Sequence, residues 1–383
     1  MSPRESSQDT SQDPSQDTSQ RLSSPRPRTG GLRVLRLLPA VLAACLAHGA
    51  AAQSLDRSLI GASGSLSAAQ QTTVADFVAR AAAVIDSGDD AKEIEEARLT
   101  LITPSRDPAS TTAFRKAYAT ELLKALGGTI RGGDLRRAVN AMQVLRFTRT
   151  SEAVDALIER ATPASERNPG KRLAAAGLVV DAFEDLDTSN AYYEGAARRL
   201  RDAAAAETDP LALQQQLAAI GAAANRNGLP ADTARNVRRT QAEAIAAAAQ
   251  AMKGAEAADP RMQAIYRVLV PLRNDLLRNS QADQKEIGKV LAPALAALVA
   301  DAAAQWDAAH ANPALAADYA GLANVCEVLL RLTDRLQRPN AYQGSRPDGD
   351  SRVLAGAWES GDRAKFDAES KRWTDIASKA PYR

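Results

Sequence analysis

The chain reads as all-α, with helical hairpins joined in tandem into an α-solenoid. Three observations carry that reading. From Ser65 onward apolar residues recur at three- and four-residue intervals, Ala is abundant and β-branched alternation is not sustained, the pattern of helices buried on one face. An Asx-Pro pair recurs at Asp107-Pro108, Asn168-Pro169, Asp209-Pro210, Asp259-Pro260 and Asn312-Pro313. Asp or Asn caps the free N–H groups of a helix's first turn, and proline suits the first helical position, where its missing N–H has no intrahelical partner. The intervals between the pairs, 61, 41, 50 and 53 residues, each accommodate two helices and a turn. Hairpins of that length stack side by side into a solenoid.

Taken in order, helices are predicted over 67–87, 90–102, 108–126, 133–148 and 150–161. Gly127-Gly128 and Gly132-Gly133 bound the third and fourth as a C-cap followed by a turn, since glycine tolerates the backbone geometry of a helix end. Helices over 169–186, 189–206, 210–225, 230–253 and 260–279 follow, with breaks at Gly228-Leu229-Pro230 and Gly254. Met262, Ile265, Leu269, Leu272 and Leu276 draw one apolar stripe along the last of these. The next two cover 282–308 and 313–338, the second striped by Leu315, Tyr319, Leu322, Cys326 and Leu329. Pro271 and Pro293 fall inside periodic segments and are expected to kink or split them. A loop at 339–351 and two short helices at 352–360 and 362–378 end the chain. In the latter, Trp358, Phe366, Trp373 and Ile376 are expected to cap the last open apolar face. The hairpin lengths are closest to the two-helix class that includes HEAT and armadillo repeats, a likeness of architecture without a residue-level consensus.

The first 52 residues are a different material. Residues 1–31 hold a tandem Ser-Gln-Asp repeat and a Pro-, Arg- and Gly-rich stretch, and read as disordered: a leader ahead of a later translation start near Leu32 or Val34, or alternatively a cytoplasmic arm that survives. Residues 32–52 have the layout of a secretory signal: Arg33 and Arg36, an apolar run over 37–47, then Ala50-Ala51-Ala52. Signal peptidase requires small side chains three and one residues before the cut. Ala50 and Ala52 provide them and leave Gln53 first. The run is shorter than the ~20 residues that span a bilayer. A second reading rests on Leu42-Ala43-Ala44-Cys45, which resembles the lipobox of bacterial lipoproteins and implies acylation of Cys45 and a membrane tether. Against it, Leu46 and Ala47 continue the apolar run. The remaining order is a flexible segment at 53–66, the repeat domain at 67–338, the 339–351 loop and the C-terminal cap at 352–383.

Charge and residue usage exclude several functions. The 383 residues carry 48 basic and 46 acidic side chains; the first 52 hold six of the former and four of the latter, so 42 of each remain. A neutral chain lacks the positive field that supports nonspecific nucleic-acid binding. After Gln53 the chain keeps one cysteine, Cys326, and one histidine, His310, which excludes an intrachain disulfide and multi-histidine zinc sites. Cys326 lies on an apolar stripe and reads as a small core hydrophobe. His310 reads as a surface residue near a helix junction. No cofactor is implied.

Other groupings read structurally first. Asp181, Glu184 and Asp185, with Asp187 beyond, share a helix face at a spacing that suits Ca²⁺ or Mg²⁺ ligation, and equally suits a solvated helix end. The turn at 348–352 lacks the ligand and glycine that a calcium loop requires where Arg352 and Val353 stand. The 127–133 glycines lack the Lys-Ser/Thr of a phosphate loop. Basic groups cluster at Arg136-Arg137, at Arg198, Arg199 and Arg201, and at Arg235, Arg238 and Arg239. The last set shares a helical face and is the candidate surface for an anionic ligand. The function expected is therefore that of an exported, noncatalytic binding or scaffold module in the periplasm or outside the cell, engaging a protein or other envelope component. The rivals are an (α/α)-toroid carbohydrate-active enzyme, which the low aromatic content of 4% disfavours, and a lipid-anchored envelope scaffold.

Overall fold

A computed structural model describes residues 54–255, 257–342 and 352–382. Residues 1–31, the segment read as a signal with Cys45, Ala50, Ala52 and Gln53, and the turn at 348–351 lie outside the described residues. Among the described residues there are sixteen α-helices and no strand. They are α1 (Arg57–Ile60), α2 (Ala68–Ser87), α3 (Ala91–Arg106), α4 (Thr112–Arg131), α5 (Leu135–Arg146), α6 (Ser151–Arg160), α7 (Pro169–Asp185) and α8 (Asn190–Ala205). Then follow α9 (Pro210–Ala224), α10 (Ala231–Met252), α11 (Arg261–Arg278), α12 (Gln281–Ala304), α13 (Trp306–His310), α14 (Pro313–Gln337), α15 (Val353–Ser360) and α16 (Arg363–Ala377).

Caps start these helices. The side chains of Ser67, Thr111, Asp134, Thr150, Asn168, Asp209, Ser280 and Asn312 each accept an N–H of the following first turn. At Ser67 the bond is returned by Gln70, whose Oε1 accepts the Ser67 N–H at 2.8 Å and closes a capping box. Asn168, Asp209 and Asn312 stand directly before a proline that opens the helix, and Asp259 Oδ1 accepts the Arg261 N–H at 2.9 Å beside Pro260. Asp107-Pro108 departs from the pattern. Asp107 ends α3 and turns its Oδ1 to the Ala109 N–H at 2.7 Å, so α4 begins only behind Thr111.

Packing then sorts the helices into two rows. α2, α4, α6, α8, α10 and α12 each pack on the next member of one row; α3, α5, α7, α9, α11 and α14 form the other. Pairs such as α2–α3, α4–α5, α6–α7 and α8–α9 close between the rows. The protein is a solenoid of helical hairpins. Because consecutive helices reverse direction, every turn leading from the first row to the second lies along one edge of the stack. The fold closes with α15 on α14 and α16 on α12. There Trp358 packs within 5.5 Å, centroid to centroid, of Trp306, His310, Tyr319 and Phe366. α12 is long and apolar enough to cross a membrane, yet Ile287, Leu291, Leu295 and Leu298 are buried in the core against its neighbours.

Four expectations are corrected. The segment read as flexible at 53–66 is packed from residue 54 on: Leu55, Leu59, Ile60 and Leu66 are buried, and Thr111 donates to the Ala62 carbonyl at 2.5 Å. Gly127 and Gly128 do not end a helix. α4 continues to Arg131 because Leu126, Thr129 and Ile130 are buried on one face, and that packing outweighs roughly 1 kcal/mol of propensity per glycine. Pro271 and Pro293 do not split their helices and lie inside α11 and α12. The helix predicted over 282–308 instead breaks at Gln305, whose buried side chain is engaged by other elements.

Candidate functional site

The arginines nominated as an anion surface are not brought together as a free cationic face. Arg235 pairs with Asp232 on its own helix and with Asp283 of α12, Nε to Oδ1 at 2.6 Å. Arg238 turns toward α9, donating to Asn225 Oδ1 at 2.8 Å. Arg239 pairs with Glu243 at 3.3 Å, and Arg201 of α8 reaches the same carboxylate at 3.3 Å. Arg199 pairs with Asp155 of α6, and Arg198 with Glu194 at 4.0 Å. The α6, α8, α10 and α12 faces are therefore joined rung to rung by ion pairs.

The second row uses its charges in the same way. Arg98 of α3 donates to Asn140 and Gln143 of α5 at 3.0 and 2.5 Å. Arg146 holds Asp181 at 3.3 Å and Arg149 holds Asp185 at 3.5 Å. Asp181 and Asp185 of the acidic cluster thus serve as anchors for preceding elements. Among the described residues no group of three or more His, Cys, Asp or Glu converges as metal ligands. Arg137 tethers the α2–α3 turn, donating to Gly88 O and Asp89 Oδ1 at 3.1 Å each.

Sequence reasoning missed a buried polar chain that runs along the edge holding the row-to-row turns. Lys171, 3% exposed, reaches back from the start of α7 to the Gly132 carbonyl and lies 3.5 Å from Glu166. Arg172 donates to the Glu166 and Arg167 carbonyls at 3.0 Å each, and grips Glu207 of the next turn. Glu207 also accepts Gln216 Nε2 at 2.8 Å, and Gln216 in turn donates to the Ala161 carbonyl at 2.7 Å. Arg261 reaches the Glu207 carbonyl at 3.3 Å and pairs with Asp259 at 2.7 Å. The Asp259 N–H donates to Gln305 Oε1 at 3.1 Å and to Tyr319 Oη at 3.0 Å, and Tyr319 donates to Gln305.

The signal for this chain was present in the sequence. Glu166-Arg167-Asn168-Pro169 and Glu207-Thr208-Asp209-Pro210 share the order Glu-x-Asx-Pro, and each Glu accepts the Asx N–H at 2.9 Å. At Asp259-Pro260 the residue two places earlier is Ala257, and Gln305 supplies the acceptor from the next turn. At Asn312-Pro313 the corresponding residue is His310. Its ring lies between Trp306 and Trp358, at centroid distances of 4.2 and 4.3 Å. Nδ1 is 2.9 Å from the Trp306 carbonyl and Nε2 is 3.4 Å from that of Trp358, so His310 is a joint between α13 and the closing helices.

Burial and pairing set the electrostatics of this chain. Burial alone raises the Glu207 carboxyl, but the bonds from Arg172, the Asp209 N–H and Gln216 outweigh it and leave it below the usual carboxylate range. The Arg172 guanidinium is raised in turn, chiefly by its hydrogen bond to Glu207. Burial pushes the Tyr319 hydroxyl up to about 12 and the Cys326 thiol well above its ordinary range, which keeps both protonated. These residues hold turns and rows.

No family model, no curated protein and no solved structure matches this chain.

Proposed function

We propose that the chain is an exported, noncatalytic helical-repeat protein that acts as a binding or scaffold module in the cell envelope. The observation that carries this reading is the use of its charged side chains: Arg172, Glu207, Asp155, Arg199, Arg235 and Asp283 join one hairpin to the next. A stack fastened in this way holds an extended surface in fixed register, which suits recognition of a macromolecule along several repeats. The tryptophans support it as well. Trp306, Trp358 and Trp373 are 6%, 3% and 1% exposed, so they serve as core and not as the aromatic platforms on which a carbohydrate-active toroid stacks its sugars. Export rests on the signal layout at 32–52, and the tethered alternative rests on Cys45.

The test has two parts. Intact-mass analysis of the protein recovered from its native cell should give Gln53 as first residue; an acylated Cys45 would replace the soluble form by the tethered one. Photo-crosslinkers placed at exposed positions on α5, α9 and α11 should then capture a defined envelope partner from living cells. Hydrolysis of a polysaccharide by the purified protein would sink the noncatalytic reading.

A further inference from the structure

The cations that the sequence nominated are engaged in packing, but a different group at the C-terminal end is arranged otherwise. An open pocket of about 460 Å³ lies between the end of α14 and α16, lined by Arg338, Lys371, Arg372, Lys379, Asp375, Ala368 and Ile376. We infer that this pocket binds an oxyanion group of the phosphate type.

Two of the cations are held in fixed orientation. Arg338 is gripped by the buried Asp334, Nε to Oδ1 at 2.6 Å and Nη2 to Oδ2 at 2.7 Å, and Tyr382 Oη donates to the same carboxylate at 2.8 Å. Arg372 lies over the Trp373 ring at 4.9 Å while its Nη1 is paired with Glu369. Arg372, fixed through part of its fork, keeps its planar geometry for recognising an oxyanion. Lys371 lies one helical turn before Asp375 and Lys379 just past the end of α16, and neither ammonium has an ion pair or hydrogen bond among the described residues.

The competing explanation is that basic residues gather at the C-terminal ends of α14 and α16 to meet the negative end of the helix dipole. Cations in that role hydrogen-bond the last carbonyls. Here the arginines turn to carboxylates and the lysine ammoniums donate to no carbonyl. With the Arg338–Asp334 pair set aside, Asp375 and Glu369 against Lys371, Arg372 and Lys379 leave one positive charge in excess. The pocket volume falls within the range of small-molecule sites, roughly 300–1,000 Å³.

The experiment titrates the purified full chain by calorimetry at constant ionic strength with inorganic phosphate, and in a second arm with phosphatidylglycerol vesicles. The variants are Lys371→Glu/Lys379→Glu, whose side chains are exposed and unpaired, and Lys116→Glu, an exposed lysine on α4. Circular dichroism checks that each is folded. The expected result is saturable binding that weakens about tenfold or more in the double variant and is unchanged by Lys116→Glu. The arm that responds identifies the source as a free phosphate or a lipid headgroup. Absence of binding in both arms, or equal weakening by Lys116→Glu, overturns the inference. Either result leaves the scaffold reading to be judged by its own crosslinking test.

Discussion

Arg172 and Glu207 form a two-point salt bridge between successive hairpins, Nε to Oε2 at 2.8 Å and Nη2 to Oε1 at 2.7 Å, with both side chains buried. Breaking one side leaves the other charge buried without its partner. Glu207→Ala should therefore destabilise the fold by about 3–5 kcal/mol, measured by urea unfolding. The double variant Arg172→Met/Glu207→Leu should cost much less than the sum of the two single changes. Additive losses would show that the pair is not coupled.

The same carboxylate sets a pH dependence. Glu207 titrates below its unfolded value of about 4.3, because its bonds to Arg172, Asp209 N–H and Gln216 outweigh the effect of burial. A depressed carboxylate binds its proton less readily when folded, so its stabilisation is present above that unfolded value and is lost as pH falls through the folded one. Glu207→Gln should flatten this acid limb of the stability curve. An unchanged acid limb would assign the pH dependence to other carboxylates.

Two helical glycines should respond in opposite directions. A Cβ at Gly128 meets no neighbouring atom within 4 Å, so Gly128→Ala should stabilise the protein by about 0.5–1 kcal/mol. A Cβ at Gly288 would lie 2.6 Å from Cγ2 of the buried Thr333, so Gly288→Ala should destabilise by about 1–3 kcal/mol through overpacking between α12 and α14. Thermal melts of the two variants against the parent decide both signs.

Trp358 ties the closing helices to the stack through its ring contacts and through Nε1–H, which donates to the Ala316 carbonyl at 2.9 Å. Trp358→Ala should cost about 3–5 kcal/mol and remove near-ultraviolet circular dichroism from the Trp306 cluster. Retention of that signal would mean that the cluster is held without α15.

Cys326 is 0% exposed, and burial pushes its thiol well above the ordinary range. It should resist a thiol reagent in native buffer and react at the rate of global unfolding. Rapid labelling of the native protein would contradict its core position.

How much of this was legible depends on the range of the interaction. The helices, most caps and the stripes through Leu269 and Leu329 could be read because they are set by residues three or four apart. Local rules misplaced the end of α4 and the break at Gln305. In the first case buried Leu126 and Ile130 outweigh two glycines; in the second, Gln305 bonds to Asp259 and Tyr319 from distant parts of the chain. The Glu-x-Asx-Pro repeat was visible as a string, but its meaning was not, because Arg172 and Glu207 are neighbours only after two hairpins have stacked.

The arginine stripe shows the same division. By itself the sequence determined an all-helical chain with hairpin punctuation, near-balanced charge and two cysteines. It also placed Arg235 and Arg239 one turn apart on α10. Only the tertiary structure decided that Arg235 meets Asp283 and that Arg239 and Arg201 share Glu243, while Lys371 and Lys379 are left beside a pocket. The reason is physical. A side chain's periodicity fixes which face it occupies, whereas its charge acquires a partner or a vacancy only from whatever the stacking places within a few ångströms.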